Sequence, residues 1–132
     1  MSELVEQKGG GLGTIVVLNR DLMFGVRIAN QLRAEGYTVT FAQKTGEFVS
    51  RLRQAEPKAV LGLVDMNSPV EWPLIQALVL DTEHATPLLG FGPHLDVQGR
   101  RAAKAAGVTR IVTNSEFHQD TLRFVKRYAK SL

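Results

Sequence analysis

The sequence predicts an α/β domain in which a five-stranded parallel sheet is covered by helices on both faces. Short runs of apolar, largely β-branched residues recur five times, and each is followed by a segment with helical spacing. The run at residues 59–64 is apolar or glycine throughout, which is typical of a strand that is buried on both sides. A chain of 132 residues, 44% of them hydrophobic, is long enough for one domain with its own core.

Each element has local signals of its own. Asp21 is a suitable N-cap for the first helix, and Gly36 and Gly107 stand where the first and fourth helices should end. Pro57 follows the second helix, which cannot continue through it. The predicted strands are 15–18, 39–42, 59–64, 87–91 and 110–113, and the predicted helices are 22–35, 47–55, 72–80, 97–106 and 117–130.

The first residues are expected to form a flexible leader over 1–13, followed by one domain over 14–132. Glycines at positions 9, 10, 11 and 13 precede the first strand. A phosphate-binding glycine loop is the alternative reading, but such a loop follows a strand and opens a helix. These glycines do neither.

The composition excludes several classes of protein. There is no cysteine, so disulfides, thiolate metal sites and cysteine nucleophiles are excluded. No apolar run is long enough to span a bilayer, and the first residues lack the basic and apolar regions of a signal peptide. We therefore expect a cytoplasmic protein that does not contact membranes.

Asp65 is the strongest pointer to a functional site. It follows the buried run at 59–64, and in parallel sheets ligands bind beyond the carboxyl ends of the strands. With the strand order 2-1-3-4-5, the ends of the first and third strands flank a crevice. Asn19, Arg20 and Asp65 should then face one another, with Gly92 and Asn114 nearby.

Residues 14–132 resemble the receiver domain of two-component response regulators. The resemblance rests on the order and spacing of several short segments: Asn19-Arg20-Asp21, Gly36-Tyr37, Asp65 with Pro69, Thr86-Pro87, and Ala106-Gly107-Val108. It implies a doubly wound (βα)5, flavodoxin-like fold and a role in signal transduction. It also implies that Asp65 corresponds to the phosphate-accepting aspartate of the family.

The chain departs from the family at every other position of that site. Asn19 and Arg20 replace the two acidic magnesium ligands, and Asn114 replaces the lysine that neutralises the phosphoryl group. Gly92 replaces a threonine or serine, and Ile111 replaces the aromatic switch residue. Because magnesium requires oxygen ligands and a guanidinium repels it, we expect no metal and no other cofactor. Together, the resemblance and these departures predict a degenerate, stand-alone receiver domain, or pseudo-receiver, that is not an enzyme.

Two side chains leave alternatives open. Arg20 can form a charge-assisted pair with Asp65 in the space of the missing ion, or it can point to solvent. Asp21 can act as a displaced metal ligand beside Asp65, or as the helix cap. We expect Asp65 to be a vestigial acceptor. The alternative is that Asp65 is still phosphorylated through an unusual site.

The last third of the chain is strongly basic. It holds eight basic against three acidic residues, a net charge of +5 that exceeds the +3 of the whole chain. In the receiver fold these residues belong to the fourth helix, fifth strand and fifth helix, the face through which receiver domains typically pair or contact their outputs. We expect a protein partner there, with a homodimer or nucleic-acid binding as alternatives. The basic residues are Arg100, Arg101, Lys104, Arg110, Arg123, Lys126, Arg127 and Lys130.

Overall fold

The structure, a computed structural model, describes residues 11–132 and confirms the predicted fold. Five parallel strands form one sheet in the order β2-β1-β3-β4-β5, and helices alternate with them along the chain. The prediction of a flexible leader falls, for residues 1–10, outside the described residues. The strands are β1 (Thr14–Leu18), β2 (Thr38–Ala42), β3 (Ala59–Asp65), β4 (Leu88–Gly92) and β5 (Arg110–Thr113). The helices are α1 (Leu22–Glu35), α2 (Thr45–Gln54), α3 (Trp72–Leu80), α4 (Val97–Ala106), α5 (Asn114–Gln119) and α6 (Thr121–Tyr128), with a 3-10 turn at Thr82–His84.

The sheet separates two hydrophobic clusters, one on each of its faces. Successive residues of a strand point to opposite faces, so Ile15 and Val17 belong to one cluster while Val16 and Leu18 belong to the other. The first cluster includes buried residues of α1, α5 and α6, and the second includes buried residues of α2, α3 and α4. This double burial explains why β1 and β3 are apolar along nearly their whole length.

The ends of α1 and α4 follow the signals in the sequence. The Asp21 carboxylate accepts hydrogen bonds from the backbone N–H of Met23 at 3.0 Å and of Phe24 at 3.2 Å. Gly36 and Gly107 end their helices with φ of 120° and 98°, a region that disfavours residues with a Cβ.

The prediction of one last helix over 117–130 was wrong. The segment forms two helices, α5 and α6, and Asp120 between them has φ −134° and ψ 39°. The buried residues Phe117, Thr121 and Val125 are spaced by four. Along an unbroken helix such residues drift by about 40° per step. With the break at Asp120, both Phe117 and Val125 belong to the first hydrophobic cluster.

Other predicted boundaries also moved, most of them by one or two residues. α5 begins at Asn114 because Thr113 and Glu116 form a capping box, in which each side chain bonds to the other residue's backbone N–H. α2 begins at Thr45 rather than at residue 47. β4 runs from Leu88 to Gly92 rather than from 87 to 91.

The two ends of the described chain lie side by side. Leu132 packs next to Gly13, and the Lys130 backbone N–H donates to Val60 O at 2.9 Å, near the amino end of β3. Leu12 is also attached to the domain, because its backbone N–H donates to Gly36 O at 3.1 Å. Within residues 11–132, no helix combines the length and the apolar character needed to cross a membrane.

We predict that Gly62→Ala lowers the free energy of unfolding by about 1–3 kcal/mol. A Cβ at Gly62 would lie 2.6 Å from Leu88 Cδ2 and 2.9 Å from Phe48 Cζ, and both of these side chains are fully buried. Urea denaturation measures the effect. Gly46→Ala is the matched control: its Cβ would meet nothing nearer than 4.0 Å, and helix propensity should keep or raise stability by up to about 1 kcal/mol.

We predict that Thr113→Ala raises the pKa of Glu116 and lowers the free energy of unfolding by about 1 kcal/mol. Hydrogen bonds from the Thr113 backbone N–H and side chain lower the pKa of Glu116 below its usual range. The stabilisation by ionised Glu116 is therefore present above the usual carboxyl pKa and is lost as the pH falls through the lowered value. An NMR titration of Glu116 measures the shift. Ser115→Ala, at an exposed neighbouring position, should leave this pKa unchanged. Because Thr113→Ala removes the oxygen that caps the Glu116 backbone N–H, an unchanged free energy of unfolding in that variant would contradict the capping box.

Candidate functional site

Asp65 lies at the carboxyl edge of the sheet, as predicted, and contacts Asn19 at the end of the neighbouring strand β1. It is the last residue of β3 and is 5% exposed. Asn19 follows β1, and its backbone N–H still donates to Ala42 O at 2.9 Å. This bond extends the sheet by one residue and directs the Asn19 side chain to Asp65. The Asn19 Nδ2 donates to Asp65 Oδ2 at 2.7 Å.

The other oxygen of Asp65 is bonded by Asn67. Asp65 Oδ1 accepts from the Asn67 backbone N–H at 2.9 Å and from Asn67 Nδ2 at 2.7 Å. Three N–H groups therefore hold a buried carboxylate, which compensates for its loss of water. Asn67 is a residue of the site that was not predicted from the sequence. Its position two residues after a buried aspartate is a signal for this local turn.

Asn67 continues the network to Asn114. The two amides bond reciprocally: Asn67 Nδ2 donates to Asn114 Oδ1 and Asn114 Nδ2 donates to Asn67 Oδ1, both at 2.9 Å. The structure thus joins Asn19, Asp65, Asn67 and Asn114 in one continuous chain of hydrogen bonds. We call this set the amide network.

Arg20 and Asp21 lie at the rim of the site without joining the amide network. Arg20 is exposed, and in the described part of the chain its guanidinium forms no ion pair or hydrogen bond with Asp65. Of the two alternatives for Arg20, the structure therefore shows the one in which its side chain is exposed to solvent. Asp21 serves as the cap of α1 rather than as a displaced ligand beside Asp65.

Gly92 and Ile111 lie outside the network as well. A Cβ on Gly92 would approach Met66 Cβ to 3.0 Å, so the space for a side chain at the end of β4 is filled by Met66. Ile111 is partly buried and packs against the second hydrophobic cluster. Neither residue offers a polar group to Asp65.

An open cleft of about 370 Å³ lies over the amide network. Phe24 and His118, which were not predicted to belong to the site, form one wall, with ring centroids 4.6 Å apart and planes at 86°. Behind them Phe91 stacks on Phe117 at 4.2 Å with nearly parallel rings. The cleft is lined by Arg20, Asp21, Phe24, Asp65, Asn67, Ser68, Phe91, Asn114 and His118.

The donor set of this cleft fits magnesium poorly. Magnesium is usually bound by carboxylates, but the two carboxylates here are bonded to N–H groups, Asp21 to the start of α1 and Asp65 to the asparagines. The cation Arg20 lies beside them. Among residues 11–132 no three His, Cys, Asp or Glu side chains form a group that could hold a metal ion.

The structure divides the predicted basic residues into two groups. Arg100, Arg101 and Lys104 lie on α4 and Arg110 lies on β5, while Arg123, Lys126 and Arg127 lie on α6 and Lys130 lies beyond it. Lys126 forms an ion pair with Glu35 at the end of α1. The Lys130 ammonium donates to the backbone oxygen of Ala85. Lys126 and Lys130 are therefore bonded to residues outside α4.

The fold is that of response-regulator receiver domains. The chemotaxis protein CheY4 of Vibrio cholerae superposes with a TM-score of 0.73 at 18% identity, covering 89% of this chain and 98% of that one. A signal receiver domain of an HD domain-containing protein from Pseudomonas fluorescens gives 0.75 at 15% identity, with 89% and 87% covered. A receiver domain protein from Methanospirillum hungatei gives 0.73 at 19%, with 88% and 92% covered. No protein-family model matches the sequence, and no curated protein matches it either.

We predict that Asn19→Asp lowers the free energy of unfolding at pH 7 by about 2–3 kcal/mol. The substitution replaces a donor 2.7 Å from Asp65 Oδ2 by a second carboxylate. Repulsion raises the pKa of one carboxyl of the pair, so the folded state binds a proton more tightly than the unfolded state. The loss should therefore shrink as the pH falls towards 5.

Urea denaturation at both pH values, relative to the unsubstituted protein, measures this effect. Asn30→Asp, on the exposed face of α1, is the control and should show neither the loss nor its pH dependence. Equal stability of Asn19→Asp and the unsubstituted protein at pH 7 would contradict the bond between Asn19 and Asp65.

Proposed function

We propose that this chain is a degenerate receiver domain that acts in signal transduction through protein contacts, without control by phosphorylation of Asp65. The observation that carries the proposal is that three asparagine N–H groups bond to the Asp65 carboxylate. Both of its oxygens accept hydrogen bonds, from Asn19 on one side and from Asn67 on the other.

The chemistry of phosphoryl transfer supports this proposal. The reaction depends on positioning and on neutralising the charge of the transferred group, mostly by metal ions and cations. Asn19 is neutral, and Arg20 is a cation that repels magnesium. Asn114 is neutral as well and is bonded to Asn67 rather than placed as a counter-charge. We therefore infer that the site holds no magnesium and that transfer to Asp65 is slower by orders of magnitude.

The face of α4 supports a protein partner. Val97, Arg100, Arg101 and Lys104 are spaced so that they share one side of the helix, and Val97 is 55% exposed. Leu95, just before the helix, is 79% exposed. Exposed apolar side chains beside cations suit a protein surface that carries apolar and acidic groups.

The alternative partners fit this face less well. A symmetric homodimer through α4 would place like charges opposite each other. Nucleic-acid binding would draw on all eight basic residues, but Lys126 and Lys130 are bonded to Glu35 and to the backbone of Ala85. We therefore favour an acidic protein partner over both.

The decisive experiment incubates the protein with acetyl phosphate and magnesium and measures its intact mass. We expect no phosphoryl adduct, because Asp65 lacks the charges that the reaction needs. A variant that combines Asn19→Asp, Arg20→Asp and Asn114→Lys is the positive control and should gain an adduct. Adding Asp65→Ala to that variant should abolish the adduct again.

An adduct on the unsubstituted protein that is lost in Asp65→Ala would overturn the proposal. Circular dichroism of each variant confirms that the protein tested is folded. A beryllium fluoride titration followed by NMR provides a second readout. Saturable shifts around Asp65 in the unsubstituted protein would likewise contradict the proposal.

A further inference from the structure

The outer edge of β2 pairs with no other strand in the part of the chain that the structure describes. β2 stands first in the sheet order and pairs only with β1. The Thr38 backbone N–H donates to Gly13 O at 2.9 Å, so the backbone groups of Thr38 face β1. Because alternate residues of a strand direct their N–H and C=O groups to opposite sides, those of Val39 and Phe41 face outwards.

Side chains of the two flanking helices bond to the edge on either side of Phe41. From α1, Arg33 Nη2 donates to Val39 O at 2.9 Å. From α2, Glu47 Oε1 accepts from the Gln43 backbone N–H at 3.0 Å. For the outward N–H and C=O of Phe41, the described residues supply no partner. A backbone donor and acceptor of one residue are therefore open between two bonded positions.

This open pair lies in a groove of about 450 Å³ between α1 and α2, which we call the β2 groove. Gly25 of α1 lies against Phe41, since a Cβ there would be 3.2 Å from Phe41 Cε1. Val26, the next residue of α1, lines the groove and is 59% exposed. Because helices stand on both sides of the edge, a single extended chain fits the groove better than the edge of a second folded copy.

The charged side chains that line the β2 groove favour an acidic occupant. Arg33 forms no ion pair with any residue in the described part of the chain. Arg51 Nη2 lies 3.6 Å from Glu47 Oε2, but these side chains are 46% and 47% exposed, so the pair is weak. Two cations and one carboxylate leave an excess of positive charge in the groove.

We propose that the β2 groove binds an extended, acidic segment of a partner protein, which adds to the sheet as a further strand beside β2. Addition of a strand to an open sheet edge uses backbone hydrogen bonds for affinity and alternate side chains for specificity. We expect antiparallel pairing, because it is slightly more stable per residue than parallel pairing. The residue of the segment opposite Phe41 then exchanges both backbone hydrogen bonds with it.

This geometry defines a sequence pattern for the segment. Side chains that stand opposite each other in an antiparallel pair lie on the same face of the sheet. Phe41 and Val39 both face the first hydrophobic cluster, on the side of α1. The residue opposite Phe41 should be apolar, because it lies beside Val26. The residue two positions later lies opposite Val39 and should be Asp or Glu, because it meets Arg33.

This surface goes beyond the function proposed above and is separate from it. β2 and β5 are the two edges of the sheet, so the β2 groove lies at the edge opposite β5. Acetyl phosphate labelling tests whether Asp65 is phosphorylated, and a peptide titration tests the β2 groove. Failure of either experiment leaves the other proposal standing.

The experiment titrates the isotopically labelled protein with the peptide acetyl-Ser-Thr-Val-Thr-Glu-Thr-Ser-amide and follows binding by NMR. We expect saturable shifts at the backbone N–H groups of Val39, Phe41 and Gln43. The Phe41 signal should move downfield, because this N–H gains a hydrogen bond. The reordered peptide acetyl-Ser-Thr-Glu-Val-Thr-Thr-Ser-amide has the same composition, but its valine and glutamate point to opposite faces. It should bind more weakly.

Methylation of single peptide nitrogens tests the backbone pairing directly. A methyl group on the valine nitrogen removes the N–H that donates to Phe41 O and should weaken binding by roughly tenfold. The matched control carries the methyl group on the threonine that follows the valine. The N–H of that threonine faces away from β2, so its methylation should leave the affinity nearly unchanged.

Protein variants test the side-chain contacts. Arg33→Gln should weaken binding of the peptide by roughly threefold, but not that of the same peptide with glutamine in place of glutamate. Arg27→Gln, an exposed position of α1 that does not line the groove, is the control. Val26→Gln should also weaken binding. Met23→Gln, at a position of α1 that is 83% exposed and outside the groove, should not.

Three results would overturn this proposal. The first is the absence of saturable shifts along β2 at millimolar peptide. The second is equal affinity of the two methylated peptides, which remains informative whether or not every protein variant folds. The third is a shift of the β2 signals with protein concentration in the absence of peptide, which would assign the edge to a second copy of the chain.

Discussion

The hydrogen bonds that Asp65 accepts from two asparagines connect the carboxyl ends of β1 and β3 and, through Asn67, the start of α5. A carboxylate that is 5% exposed must be compensated, by cations or by N–H donors. Here neutral amides do so, and each is thereby fixed in position. Asn67 is oriented by Asp65 and in turn orients Asn114. The rim cation Arg20 is left outside this arrangement.

The packing behind the edge depends on the same segment of chain. Asn114 begins α5, and three residues later Phe117 lies fully buried against Phe91 of β4. The stacked rings fix the distance between α5 and the sheet, and the capping box fixes where α5 begins. The polar network and the aromatic core therefore both include residues of the short helix α5, so a change in one should be transmitted to the other.

Much of this arrangement could be predicted from the sequence because burial leaves a clear pattern. The apolar run before Asp65 predicts a central parallel strand, and strand order then brings Asn19 to Asp65. The direction of Arg20 could not be predicted, since a long side chain at a strand end can either pair or extend into water. The break at Asp120 could not be predicted from the sequence either. It arises because both Phe117 and Val125 pack on the sheet. Helical periodicity in the sequence does not show such a tertiary contact.

The meeting of Gly13 and Leu132 has a practical consequence. Both lie near the amino end of the strands, whereas the cleft lies at the opposite, carboxyl edge. A fluorescent protein or an affinity handle joined at either position would therefore project away from the cleft. A circular permutant that links these positions through a short peptide, and opens the chain at an exposed loop, should retain the same sheet order.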